Sequence, residues 1–406
     1  MTMCRRGNLL LTSIAMMAVA APVFGQTISS TSTGSDGALN LTTPGIVVFN
    51  PQSFNPVLNP SGNNIYNFTT INIAAGVTVQ LSGQILNGPV YWLAQGAVTI
   101  NGTISLDGGD GYSCVSPPNP AIRVPSVPGP GGYAGGVGGM VTDTFSDNYQ
   151  PGSGPGGGIG GGLAGSAAST GKFTGNVFLV PLIGGSGGTG GTTDGANSPC
   201  GGGGGAGGGA ILIASSTSIA INGSITSNGG NGGNPGSNIS NGGGSGGAIR
   251  LVAPLIQGTG SMSAGPAGTG FQGTIRLEAF QQNFTGNISP GTVSLAAPLS
   301  VALPSGGPPV VSVVSVAGVA IPANPAGSFQ IPDGTINQST PAAVVIQASN
   351  IPVGTAPTLY IFSESGPDMT VQAPALAGTL ASSTATVSVT FPPGFSRGYV
   401  RATWTP

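Results

Sequence analysis

The chain contains no histidine. Ser-His-Asp and Cys-His nucleophiles, His-ligated metals and histidine general bases are therefore all excluded. Beyond the N-terminal segment, acid–base chemistry has ten carboxylates to draw on: Asp36, Asp107, Asp110, Asp143, Asp147, Asp194, Glu278, Asp333, Glu364 and Asp368. Glycoside cleavage needs two facing carboxylates. The one close pair in a motif is Asp107 and Asp110, in Leu106-Asp107-Gly108-Gly109-Asp110-Gly111. In a matching stretch further along, Asn228 and Asn231 take those places. Asp and Asn exchange freely in turns but not in acid catalysis. The pair therefore reads as turn residues and candidate binding residues, with a calcium site and a catalytic pair as alternatives. Calcium-binding glycine–aspartate repeats recur along a chain, and this motif does not. No GxxxxGK[ST] phosphate loop is present, because the only lysine, Lys172, follows Ser169-Thr170-Gly171 at the wrong spacing.

Two other pairs carry chemistry. Arg250 and Arg276 occupy the same frame position of a repeat described below. On stacked strands they would face solvent about 4.8 Å apart, a candidate anion site for an acidic glycan, or else a solvated pair eased by Glu278. Cys114 and Cys200 both lie in glycine-rich stretches. In an oxidising compartment such a pair reads as a disulfide. Two cysteines without histidine cannot complete a usual tetrahedral zinc set, so no metal and no cofactor is expected.

The compartment follows from the N-terminus. Arg5 and Arg6 precede an apolar run from Leu9 to Ala21, and Val23-Phe24-Gly25 supplies small residues for cleavage. Residues 1–25 are expected to be a secretory signal peptide, since the run is shorter than the roughly 20 apolar residues a membrane helix needs. No later stretch resembles a transmembrane segment. The rest of the chain has six basic and ten acidic side chains, so it lacks the basic stripe of a nucleic-acid binder. The expected location is secreted, cell-surface or periplasmic. Glycine and proline number 76 and 35 of 406 residues, a share typical of disorder. Yet 39% of residues are hydrophobic and 4% charged, the opposite of a disordered chain. The glycine is thus assigned to loops and the remainder to packed strands.

An internal repeat organises those strands. Residues 88–111 (GPVYWLAQGAVTINGTISLDGGDG) align with residues 209–232 (GAILIASSTSIAINGSITSNGGNG) at an offset of 121. The frame returns at Ile249-Arg250-Leu251 and Ile275-Arg276-Leu277. Alternating apolar residues and Asn-Gly or Gly breaks indicate short strands, with Val90, Ile211, Ile249 and Ile275 on one side. Recurrence in one frame predicts a parallel β-helix, a solenoid whose units bury their faces by stacking. The alternative is an antiparallel sandwich of Asn-Gly hairpins. Glycine-rich insertions at 107–208, 228–247 and 264–273 leave the coil at one point. They are expected to form a glycine-rich platform on one face, or else unstructured filler. Residues 26–303 make up this β-helix, 304–309 a linker, and 310–406 an immunoglobulin-like β-sandwich read from six short strand-like runs.

The Gly-Gly-Ala-Ile copies (Gly208 to Ile211, Gly246 to Ile249) and Phe-x-x-Asn copies (Phe145 to Asn148, Phe173 to Asn176, Phe284 to Asn287) resemble the repeats of chlamydial polymorphic outer-membrane proteins. The Ile-Asn-Gly-Thr-Ile coils are similar to those of filamentous-haemagglutinin and autotransporter passengers. The resemblance covers roughly residues 65–300 and implies a right-handed β-helix, surface display and adhesion. The chain departs from those families in ending on a strand-rich segment with no membrane barrel. The expected function is a secreted or surface, non-catalytic structural or adhesive protein contacting a glycan or matrix component through its glycine-rich face. A carbohydrate-active enzyme of the pectin-lyase-like type is the alternative, and an ice- or matrix-binding module using flat Thr/Gly arrays a third reading.

Overall fold

In the computed structural model the described residues are 27–114, 123–139, 150–158, 170–191, 200–234, 242–268, 270–289, 292–301, 303, 309–323, 325, 332–363, 367 and 369–402. The expected signal peptide, linker residues 304–308, the Phe145 to Asn148 copy and the carboxylates Asp143, Asp147, Asp194, Glu364 and Asp368 lie outside them. No α-helix occurs among the described residues, only a 3-10 turn at Pro51–Ser53.

Sheet A consists of β1 (Gly37–Leu41), β3 (Ile65–Ile73), β5 (Val90–Ala94), β6 (Val98–Ile100), β8 (Ala210–Ser215), β9 (Ser218–Ile221), β11 (Ala248–Gly258), β13 (Thr274–Phe284) and β15 (Thr292–Ala296), all paired in parallel. Sheet B consists of β2 (Gly45–Val48), β4 (Val77–Gln80), β7 (Thr103–Ser105), β10 (Ser224–Thr226), β12 (Ser261–Ser263) and β14 (Asn287–Ile288), also parallel. Residues that align in the repeat pair across strands: Val90 with Ile211, Ile211 with Ile249, and Ile249 with Ile275. One side of these strands, including Trp92, Ile213, Leu251 and Leu277, joins Val79, Ile104, Ile225 and Met262 of sheet B in the main core. The opposite side is buried as well: Tyr91, Leu93, Leu212 and Val252 pack under Leu179, Leu182 and Val301. That is why β5 and β8 read as unbroken apolar runs rather than alternating ones.

These pairings correct the fold class expected from the repeat. Sheet A is not the open ladder of a one-strand-per-coil solenoid. Its hydrogen bonding closes on itself through β3, β5, β8, β11, β9 and β6, a six-strand parallel barrel with β1, β13 and β15 as extra strands. The closure arises because β3 and β11 run unbroken past points where the intervening chain is split. Breaks at Gln95–Ala97 and at Ser216–Thr217 separate β5 from β6 and β8 from β9, so each long strand bonds both halves. The Asn-Gly steps are not hairpins, since β6 and β7 on either side of Asn101-Gly102 pair with different sheets. The C-terminal part, expected as an immunoglobulin-like sandwich, holds a five-stranded and a three-stranded antiparallel sheet among the described residues. One antiparallel sheet runs β17 (Val319–Ala320), β16 (Val310–Val316), β18 (Ala342–Ser349), β22 (Ser383–Val389) and β21 (Ala377–Gly378). A second holds β20 (Met369–Gln372), β19 (Thr358–Ser363) and β23 (Ser396–Arg401), and the two share a core around Val344, Ile346, Leu359 and Ile361.

The expected glycine-rich platform is also corrected for the described parts of the insertions, whose glycine stretches are buried and bonded. Residues 184, 186–191, 200–209 and 242–247 are buried. Along 204–206, successive amides reach three different neighbours: Gly204 N donates to Gly136 O (2.8 Å), Gly205 N to Gly242 O (2.9 Å) and Ala206 N to Gly109 O (3.0 Å). The same three directions return at Gly207, Gly208 and Gly209, which donate to Tyr133, Ser245 and Leu106. A three-residue period is that of the extended polyproline II chain, which has no internal hydrogen bonds. Here neighbouring strands of the same kind supply them, so the buried amides and carbonyls are satisfied. Glycine is required by packing rather than by backbone angle. None of Gly201–Gly209 has positive φ, but a β-carbon on Gly207 would strike the Gly185 carbonyl, and one on Gly205 the Gly230 carbonyl.

Candidate functional site

Sheet A and the glycine bundle position three groups the sequence singles out. The disulfide between Cys114 and Cys200 is formed, with Cα atoms 5.6 Å apart and a sequence separation of 86. It ties the strand entering the bundle to the central strand, 200–209. Asp107 and Asp110 sit on the entering strand, in register with their aligned asparagines. Backbone amides of Gly108, Gly111 and Cys114 donate to carbonyls of Asn228, Asn231 and Asn234. In return, Asp107 Oδ1 accepts from Asn228 N (2.6 Å) and Asp110 Oδ1 from Asn231 N (2.6 Å). Asp107 Oδ2 also accepts from the Thr226 hydroxyl (2.7 Å) and the Ser105 hydroxyl (2.9 Å). Both carboxylates thus serve as acceptors that fasten one repeat to the next.

The two arginines are not the solvent-facing pair expected. Arg250 and Arg276 are 1% and 3% exposed, and Glu278 between them is fully buried. The outer face of sheet A is covered, so the charges are neutralised internally. Arg250 Nε and Nη2 donate to the two Glu278 oxygens (2.9 and 3.3 Å), and Arg276 Nε donates to Oε1 (2.6 Å). Glu278 Oε2 also accepts from Leu299 N (2.8 Å), while Arg276 Nη1 donates to Val177 O (3.2 Å) and Ser294 Oγ (2.8 Å). Phe178 lies 5.2 Å from the Arg276 guanidinium. Burial by itself would raise the Glu278 carboxyl, but Arg250, the Leu299 amide and Arg276 outweigh it and hold the group below its ordinary value. Burial likewise pushes the neighbouring Tyr91 phenol up to about 12, opposed by Arg250. The triad clamps residues 177–182 and 294–299 over the sheet and offers no free cation to an anion.

The open polar surface lies elsewhere, at the turns that lead from sheet A into sheet B. A groove of about 560 Å³ is lined by Gly76, Thr78, Asn101-Gly102-Thr103, Asn222-Gly223-Ser224, Thr259-Gly260-Ser261 and Asn287, with Val77 its one apolar side chain. The turns stack tightly enough that a β-carbon on Gly223 would strike the Gly102 carbonyl, and one on Gly260 the Gly223 carbonyl. The polar side chains form ladders across them: Asn222 Nδ2 donates to Asn101 Oδ1 (2.9 Å) and Ser224 Oγ to Thr103 Oγ1 (3.1 Å). In the sequence, Asn101-Gly102 and Asn222-Gly223 carry only the signature of turns. The signal that could have found the groove was the hydroxyl residue following each glycine: Thr103, Ser224 and Ser261.

Among the described residues, no three His, Cys, Asp or Glu side chains converge as metal ligands, and no helix is long and apolar enough to cross a membrane. No family model, no curated protein and no solved structure matches this chain.

Proposed function

We propose that this protein is an exported, non-catalytic structural or adhesive protein that presents an uncharged surface to a glycan or matrix component. The observation that carries this reading is the sheet B side of the molecule. Its open groove is lined by amides, hydroxyls and glycines with no charged side chain. The carboxylates and guanidinia singled out in the sequence are spent on internal bonds. A rigid bundle of backbone hydrogen bonds, stapled by one disulfide, suits a scaffold that must survive outside the cell. The glycine stretches themselves face inward, so the contact surface in this reading is sheet B rather than the insertions. The test is a screen of the purified protein against neutral and acidic glycans and matrix polysaccharides, with chromatography of the recovered material. Retention of glycans without shortening is the expected result. Cleavage, or no retention of any of them, contradicts the proposal.

A further inference from the structure

From the groove at the turns into sheet B we infer a binding site for an unbranched, neutral polysaccharide lying across the strands, parallel to the direction in which they stack. This deepens the glycan-contact reading above and rests on it. The lining residues come from β4, β7, β10, β12 and β14 and the turns before them, so the groove spans four inter-strand steps. At roughly 4.8 Å per step this is a trough about 19 Å long. A pyranose unit in an extended 1,4-linked chain advances by nearly the same step. Each successive sugar would therefore lie over one step of an in-register row, Thr78, Thr103, Ser224, Ser261 and Asn287, beside Asn101, Asn222 and Thr259, with alternate sugars of a β-1,4-linked chain presenting the same edge.

The donor set fits sugar hydroxyls. Ser and Thr hydroxyls and Asn amides both donate and accept, as a hydroxylated ligand requires. Glycine at 102, 223 and 260 lets successive turns stack in close register, which keeps the hydroxyl and amide side chains beside them in line. No charged side chain lines the trough, so a uronate or sulfated chain would find no counter-ion there. A stacked row of equivalent sites also predicts length dependence: each added sugar contributes until the trough is full.

The test uses the full exported protein and soluble linear 1,4-linked glucan and chitin oligosaccharides of increasing length, measured by calorimetry. Affinity is expected to rise with chain length up to about four sugars, the number of steps in the trough, and then level off. Ser224→Arg and Ser261→Arg, whose side chains lie on the surface of the sheet, should each weaken binding at least tenfold while leaving the unfolding temperature near wild type. Thr386→Arg, on the exposed side of β22, should not change it. Asn287→Ala supplies a milder loss should either arginine variant fold poorly. Wild-type binding that survives Ser224→Arg, Ser261→Arg and Asn287→Ala overturns the groove while leaving the glycan reading intact. No binding to any glycan overturns both, and retention on ice crystals in place of glycans assigns the surface to ordered water instead.

Discussion

The molecule contains two buried interiors built on opposite principles. Between sheets A and B, stacked Ile, Val and Leu side chains such as Ile211, Ile249 and Ile275 exclude water, and stability comes from apolar burial. In the bundle, residues 200–209 are equally buried yet contribute almost no side chains beyond Cys200 and Ala206. There the segments approach so closely that only backbone fits, and Gly201 and Gly203 through Gly209 each donate an amide to a carbonyl on a neighbouring segment. The hydrophobic interior tolerates loss of atoms at a graded cost. The glycine interior cannot tolerate their addition. A high glycine count therefore signals disorder only when nothing fixes where the glycines meet; here the register inherited from sheets A and B and the Cys114–Cys200 bond fix it.

The comparison can be broken at several points. The largest effect should come from the charge cluster that pins the outer layer. Glu278→Ala leaves two guanidinia buried, and breaking such a pair costs about 3–5 kcal/mol, read as a shift in urea midpoint. The lowered Glu278 pKa gives a sign to the pH dependence. Its contribution is fully present above the ordinary carboxylate value and fades as pH falls through the lower folded value, so wild type and Glu278→Gln should converge in acid. Next, Ile213→Ala and Leu251→Ala, cross-strand partners with no exposure, should each cost about 2–5 kcal/mol. Because they touch, a double-mutant cycle should show coupling of at least about 0.5 kcal/mol. Gly205→Ala should cost about 1–3 kcal/mol by overpacking, although it adds a single methyl group and would stabilise a flexible loop. The smallest effect should be Asp110→Asn, under about 1 kcal/mol, because an amide oxygen can still accept from Asn231 N; a large loss there would give the carboxylate a role beyond fastening repeats.

Much of the strand-forming sequence was legible. The 121-residue offset gave the pairing of Val90 with Ile211 and of Thr103 with Ser224, because in-register parallel strands must align like with like. The disulfide was legible from two cysteines inside one glycine-rich insertion. Closure of sheet A was not, because it depends on β3 and β11 staying straight where β5–β6 and β8–β9 bend, and Pro254 inside β11 gives no hint of continuity. Burial of Arg276 was not legible because Val177 and Phe178, distant in sequence, lie against its guanidinium, nor that of Arg250, whose partner Glu278 sits in the same cluster. The bundle was invisible because periods of two and 3.6 are the usual signals of structure, whereas a threefold backbone lattice leaves a sequence of glycines with no side-chain pattern at all.

Amide hydrogen exchange of the intact, oxidised protein, resolved by mass spectrometry, is the most direct test of the account. Peptides covering 200–209 and 242–247 should be protected to nearly the same degree as those covering β8 and β11, since their amides are buried and bonded to neighbouring chains. Exchange of the glycine peptides at the rate of an unstructured chain, with β8 and β11 still protected, would contradict the claim that these glycines form an ordered interior.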